Sequence, residues 1–267
     1  MASVSAPMNP AILQRPNAIS ICVKEAKYEF LKSVRFPMFS VGTLVFPLMF
    51  YVLFGLVMGR ERIGSLRSSV YLIAAYGTFA VMGASLFSTA ASLAAERGLG
   101  WLEVKRASPM PPFAYFLAKV IMGLTFSTID VLALMLLGVA FGGVQLPAAT
   151  MAKLALTLIA GSLPFCAMGL AIGYFARPNS APAVINLFYL PMSFCSGLWM
   201  PFMFLPKFVQ RVGGFLPSYH LSQLALNLIG GGEAGSRWGH WETLIGFALL
   251  CLGIARLGHQ RDQRAQG

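Results

Sequence analysis

The residues able to do chemistry are few and unevenly spread. Among 267 residues only nine are acidic and three are histidines. Yet Glu96, Arg97, Glu103, Lys105, Arg106 and Lys119 all fall in one stretch, AAERGLGWLEVKRASPMPPFAYFLAK, at positions 94–119. An isolated acid, Asp130, lies well inside a long apolar run, and Asn186 is a milder polar interruption of another. His220, His240 and His259 stand outside the centres of the apolar runs, and Cys22, Cys166, Cys195 and Cys251 are far apart. No pair has the spacing of a zinc site, no H-E-x-x-H occurs, and Asp130 has no second acid within an apolar run. The sequence therefore predicts no catalytic residue and no metal ligand, and reads the cysteines as small core hydrophobes.

The surroundings of these residues explain their scarcity. A content of 57% hydrophobic and 11% charged residues excludes a soluble globular domain, in which charged residues run near ~25%. The length suits about six spans of ~20 residues each, with nothing left for a sizeable extramembrane domain. The net charge of +11 flanks apolar runs and forms no basic stripe, so it speaks for membrane topology and against nucleic acid. Residues 1–17 are polar and Pro-rich without an apolar core, which predicts no cleavable signal peptide. The following AISICVKEAKYEFLKSV places Ile19, Cys22, Val23, Ala26, Phe30 and Val34 on one helical face, away from Lys24, Glu25 and Lys32. Such a helix can lie in the membrane interface with its lysines near headgroups, or pack on the protein's own spans.

Apolar runs predict spans near 37–58, 70–95, 118–141 and 154–176, a fifth beginning near 181, and a last near 238–256. Between the last two, Pro201, Pro206, Gly213, Gly214 and Pro217 break an apolar stretch that also carries Lys207 and Arg211. That pattern predicts short helices dipping back into the interface. The expected fold is an all-α polytopic membrane protein with six transmembrane helices, seven being the competing count. Its divisions would be an N-terminal segment with the interfacial helix (1–36), a six-span domain (37–256) and a tail (257–267). With both termini in the cytoplasm, thirteen of the 20 lysines and arginines fall on the inside, as the positive-inside rule requires. Arg60, Arg62 and Arg67, in one short outer loop, run against it. Gly55/Gly59 and Gly169/Gly173 have the small-xxx-small spacing of close helix packing, within one chain or between two.

On this topology the charged stretch is a cytoplasmic connector. Pro109, Pro111 and Pro112 limit it to about three helical turns. On a helical wheel Leu99 and Leu102 fall on one side and Trp101 and Val104 on another, a form able to touch both its own protein and a partner. An ordinary amphipathic loop helix at the headgroup boundary is the plainer reading.

The stretch resembles the connector between spans two and three in the permeases of type-2 ATP-binding-cassette (ABC) exporters. Glu96-Arg97, Gly100-Trp101-Leu102-Glu103, Ser108-Pro109-Met110 and Ala118-Lys119 carry the likeness. Trp101 stands where Thr or Ser is common in that family, and Ala118 where Gly is common. Gly197, Pro201, Leu205-Pro206, Pro217 and Tyr219-His220 follow the family's order in the broken region before the last span.

The resemblance implies that residues 96–107 form a coupling helix seated in a cleft of a separate cytoplasmic ABC ATPase. Glu96, Arg97, Gly100, Trp101, Leu102, Glu103, Lys105 and Arg106 would make that contact, and Gly197, Pro201, Pro206, Pro217 and His220 would belong to a re-entrant segment. It further implies a dimer of permeases in the inner or plasma membrane, and export of an amphipathic small molecule, drug or lipid-like compound, as in multidrug efflux. The chain lacks a G-x-x-x-x-G-K-[ST] phosphate loop, so ATP and Mg would bind the partner and no cofactor is expected here. Asp130 and Asn186 are candidates for the substrate path, with hydrogen bonding to neighbouring helices as the structural alternative for each. A secondary transporter or channel would need more intramembrane ionisable groups. A membrane-embedded enzyme would need a nucleophile and base within reach.

Overall fold

The computed structural model describes residues 18–34, 37–57, 62–63, 66–102, 104, 112–232 and 236–264. The described residues are almost entirely helical. α1 (Ala18–Val34) precedes α2 (Pro37–Phe50), which continues as a π-helix over Tyr51–Val57. A two-stranded hairpin, β1 (Arg62–Ile63) and β2 (Leu66–Arg67), leads into α3, which runs without interruption over Ser68–Gly98. α4 spans Pro112–Ala140. It is followed by α5 (Ala148–Ala160), α6 (Leu163–Phe175) and α7 (Ala181–Cys195). The broken region supplies a 3-10 turn at Phe202–Phe204, then α8 (Lys207–Gly213) and α9 (Pro217–Leu228). α10 (Arg237–Arg264) closes the described chain.

Among the described residues four segments are long and apolar enough to cross a bilayer: α3, α4, the α5–α6 pair and α10. Two shorter apolar helices, Thr43–Val57 and α7, accompany them. With 15 residues, α7 is about 22 Å long, less than the ~30 Å of a hydrocarbon core. The 3-10 turn and α8 follow it, and α8 returns to the end of α7, where Gly213 lies against the Cys195 carbonyl. The 3-10 turn and α8 each open at a proline, Pro201 and Pro206 being N-cap residues, and Pro217 is the first residue of α9. Proline has no amide hydrogen to strand at a helix start, so the residues that break the run also begin each new piece. Gly197, with φ of +72°, makes the turn out of α7, because a left-handed backbone suits a residue without Cβ.

α3 is the pillar of the bundle. Every residue of Ser68–Leu86 is buried, so this span has no lipid face. Its Ala, Gly, Ser and Thr content allows neighbours to approach on all sides. α4 packs along it, α2 lies against its first half, and α6 crosses the π-helical turn at Phe87–Ala91. Gly169 and Gly173 of α6 are what let that crossing close. A Cβ on Gly169 would collide with Thr89 Oγ1, and one on Gly173 would lie 2.9 Å from Leu93 Cβ and 3.0 Å from the Ala90 carbonyl. This small-xxx-small pair therefore works within the chain. Gly55 instead faces the ring of Tyr51 on its own helix, and Gly59 lies outside the described residues.

The structure departs from the sequence-based bounds in three places. α4 begins at Pro112, not near 118, because the last proline of the connector nucleates the helix it was expected to delay. The fourth span starts at Ala148 and is jointed at Gly161 and Ser162. Third, α1 is rotated toward one edge of its apolar face. Val23 is exposed while Glu29 is buried and Phe30 meets Phe126 of α4, ring centroids 5.9 Å apart. α1 packs on the protein's own span, for the electrostatic reason given below.

Gly173→Val should lower the thermal unfolding midpoint in detergent, at a cost of about 1–3 kcal/mol for overpacking. Gly246→Val, where an added Cβ meets nothing within 4 Å, should leave the midpoint unchanged.

Candidate coupling site

The last turn of α3 carries Glu96 and Arg97, both on the helix rather than in the connector beyond it. Glu96 is buried. On α4, Tyr115 and Lys119 are four residues apart and so share a face. Lys119 Nζ donates to Glu96 Oε1 at 2.8 Å, and the Tyr115 hydroxyl donates to Glu96 Oε2 at 2.7 Å. Lys119 also pairs with Glu29 Oε1 of α1 at 2.8 Å. One ammonium with no solvent exposure thus joins the ends of α1, α3 and α4. A buried Lys is stable only when its charge is matched, and Glu29 supplies the second carboxylate. This is why α1 is rotated so that Glu29, at the edge of its apolar face, turns inward.

Arg97 makes a second junction. Its Nη2 and Nε donate to Asp262 Oδ1 at 2.9 and 3.3 Å, and its Nη1 donates to the Gly173 carbonyl at 3.0 Å. Its guanidinium also lies 5.7 Å from the centre of the Tyr174 ring. The end of α3 is thereby tied to α6 and to the final turn of α10. A cavity of about 180 Å³ opens beside it, walled by Arg97, Leu102, Arg177, Pro178 and Asp262.

Beyond Gly98 the chain reverses at Gly100, φ +72°, and becomes helical again at Trp101, Leu102 and Val104. The glycine breaks the wheel, so Leu99 and Leu102 do not share a face as a continuous helix would require. Leu102 is only 5% exposed, packed with Leu93, Tyr115 and Tyr174. Leu99, Trp101 and Val104 are 73, 56 and 63% exposed. The result is a short apolar ridge pinned by Leu102 and facing away from the protein. Glu103, Lys105 and Arg106 lie outside the described residues.

Over residues 23–229 the sequence matches the family of the ABC-2 type transporter. The chain belongs to that family. The matched segment runs from α1 through the connector to the end of α9 and so contains the Glu29–Lys119–Glu96 junction. The ABC-2 permease is also 26% identical over 245 residues to a protein of Bacillus subtilis (strain 168) named "Putative transport permease YvfS". That alignment covers 92% of this chain and 99% of the relative. The protein is a membrane transport permease subunit, a role that is not itself enzymatic.

Within the permease the other candidate residues are dispersed. Asp130 is fully buried, and neither carboxylate oxygen has a hydrogen-bond partner among the described residues. The serine nearest in sequence, Ser127, instead contacts Ser85 Oγ at 3.2 Å. Asn186 is exposed on the outward side of α7, so the two polar residues do not form one site within the chain. His220 lies with its Nδ1 2.8 Å from that of His240 on α10, one ring donating and the other accepting. Gly197, Pro201, Pro206 and Pro217 shape the broken segment as described above.

Sequence reasoning singled out the connector but missed Glu29, Tyr115 and Asp262. The four-residue spacing of Tyr115 and Lys119 was a usable signal. Glu29 and Asp262 come from far along the chain, and no local pattern marks them.

Lys119→Met should leave buried carboxylates without their counter-charge and destabilise the fold by about 3–5 kcal/mol. The triple variant Glu29→Gln/Lys119→Met/Glu96→Gln should recover much of that loss, both read as unfolding midpoints in detergent. Equal losses in the single and triple variants would mean that the charges matter less than the packing of the lysine stem.

Proposed function

We propose that this permease is the membrane half of an ATP-driven exporter, and that the connector after α3 is its coupling helix for a separate cytoplasmic ABC ATPase. The observation that carries the reading is the ridge of Leu99, Trp101 and Val104 on a rigid base. Three apolar side chains face away from the protein, while Leu102, Glu96 and Arg97 tie the turn beneath them to α1, α4, α6 and α10. A partner that grips the ridge and moves can therefore displace several helices at once. A loop tied only to its own ends would absorb such a motion. Trp101 is the natural anchor, since buried Trp side chains carry a large share of interface energy.

In this reading both termini and the connector lie in the cytoplasm, the chain resides in the inner or plasma membrane, and two copies pair. The exposed Phe46 and Met49 of α2, Leu53 of the π-helix after it, and Leu187, Phe188 and Phe194 of α7 suit contact with lipid and a second copy. ATP and Mg bind the ATPase. The cargo is an amphipathic small molecule, drug or lipid-like compound, since the spans offer it apolar surface and few charges. Asp130 belongs to the transport path or to a proton-responsive gate, because a buried carboxyl without a partner is costly in a membrane. Asn186, on the outward side of α7, would meet cargo between the two copies. The six-span division into 1–36, 37–256 and 257–267 is part of the same reading.

The purified chain alone should hydrolyse no ATP, and reconstitution with its ATPase should give substrate-stimulated hydrolysis. Hydrolysis by the chain alone, or transport driven by an ion gradient without ATP, would remove the reading. Trp101→Ala should weaken ATPase binding by ~2 kcal/mol, roughly 30-fold in Kd, with membrane insertion intact. Undiminished binding and transport in that variant would make the ridge a passive loop. Asp130→Asn should impair transport or alter its pH dependence, and full transport at every pH would take Asp130 off the path.

A further inference from the structure

At the opposite end of α3 from Glu96, the β1–β2 hairpin sets two arginines against each other. The register pairs Arg62 with Arg67 and Ile63 with Leu66. Directly opposed residues of an antiparallel pair project to the same side, their Cβ atoms about 5 Å apart. Ile63 and Leu66 occupy one side and pack onto the core, where Gly231 leaves room for the Leu66 side chain. Arg62 and Arg67 therefore occupy the other side, and both are exposed. Neither is in an ion pair among the described residues. Like charges directly opposed across a ladder destabilise it, so the hairpin holds a repulsion that its own described neighbours do not relieve.

The depth of this pair is fixed by the spans around it. Arg67 immediately precedes Ser68, the first residue of the wholly buried α3. At the same end of the bundle, the exposed Phe141 follows the last turn of α4 and the exposed Trp238 opens α10. An exposed Trp at a span end marks the headgroup level, where its amphipathic ring is favoured. The Arg67 guanidinium reaches over the turn between α4 and α5, where its Nη1 would be 3.6 Å from a Cβ added at Gly143. Among the described residues no side chain caps the α3 N-terminus that follows Arg67, and unfilled helix N-termini favour an anion.

We propose that Arg62 and Arg67 form a docking site for the phosphate of an anionic phospholipid headgroup, in the leaflet facing away from the coupling connector. Guanidinium is the side chain best matched to phosphate oxygens, because it offers paired donors in a plane. A phosphate seated between the two arginines turns their mutual repulsion into two attractions and holds the head of α3 at the membrane surface. The site also accounts for arginines in a loop that positive-inside topology disfavours. It is independent of the ATPase reading, since it requires only that the spans lie in a bilayer.

The test uses the full chain purified in mild detergent and titrated with phosphatidylglycerol or phosphatidylcholine, with bound lipid counted by native mass spectrometry. Phosphatidylglycerol should be retained in preference. Arg62→Gln and Arg67→Gln should each weaken it roughly fivefold, equivalent to ~1 kcal/mol per arginine. The Arg62→Lys/Arg67→Lys variant, which keeps both charges without the planar paired donors, should bind more weakly than the native chain. Arg237→Gln, which removes an exposed charge outside the opposed pair at the same end of the bundle, should change phosphatidylglycerol binding less than about twofold. Equal retention of both lipids, unchanged binding in the two glutamine variants, or an equal loss in Arg237→Gln would overturn the proposal. A second arm needs no variant: hydrogen exchange of residues 62–67 in the native chain should slow with phosphatidylglycerol and not with phosphatidylcholine. Absence of that protection would equally overturn it. Displacement of the lipid by low-millimolar inorganic phosphate would mark a soluble-anion site and defeat the lipid assignment.

Discussion

The arrangement turns on one ammonium group. Lys119 carries its charge into a site with no water, and that is tolerable only if carboxylates meet it there. Glu96 comes from the end of α3 and Glu29 from α1, so neutralising one lysine fixes the relative positions of three helices. The Tyr115 hydroxyl, one turn earlier on α4, occupies the other oxygen of Glu96. Moving any of these elements alone would separate opposite charges in a low-dielectric environment. The cluster is therefore stiff in a way that apolar packing alone is not, and it lies at the base of the ridge proposed to meet the ATPase.

α3 makes that stiffness useful along the whole protein. Because Ser68–Leu86 is buried on every side, the helix contacts most of the bundle and is insulated from lipid. Its lower end carries Glu96 and Arg97, and its upper end follows the arginine pair of the hairpin. The π-helical turn at Phe87–Ala91, where the glycines of α6 cross, is the point at which the helix departs from regular geometry. π-turns within α-helices commonly occur at functional positions.

Much of this was legible in the chain. Apolar runs located the long spans to within several residues, and prolines 201, 206 and 217 announced a broken segment because proline both ends one helix and starts the next. The connector stood out through its charges. The resemblance of its motifs named the family that the match over 23–229 then placed the chain in. The helical wheel failed at Leu99 and Leu102 because Gly100 adopts a left-handed backbone and resets the face, which a wheel cannot represent. In α1 the apolar face was legible but the burial of Glu29 at its edge was not, because periodicity does not show which charge a distant Lys119 will neutralise.

What the sequence determined by itself is the class of environment and the count of apolar runs. These are properties of composition and local period, and a ~30 Å hydrocarbon slab imposes them on any chain. Only the tertiary structure decided which polar residues are buried together. Glu29, Glu96 and Lys119 are far apart in sequence, as are Arg97 and Asp262. Their attraction depends on distance in space, and the low dielectric that makes it strong exists only once the helices have packed.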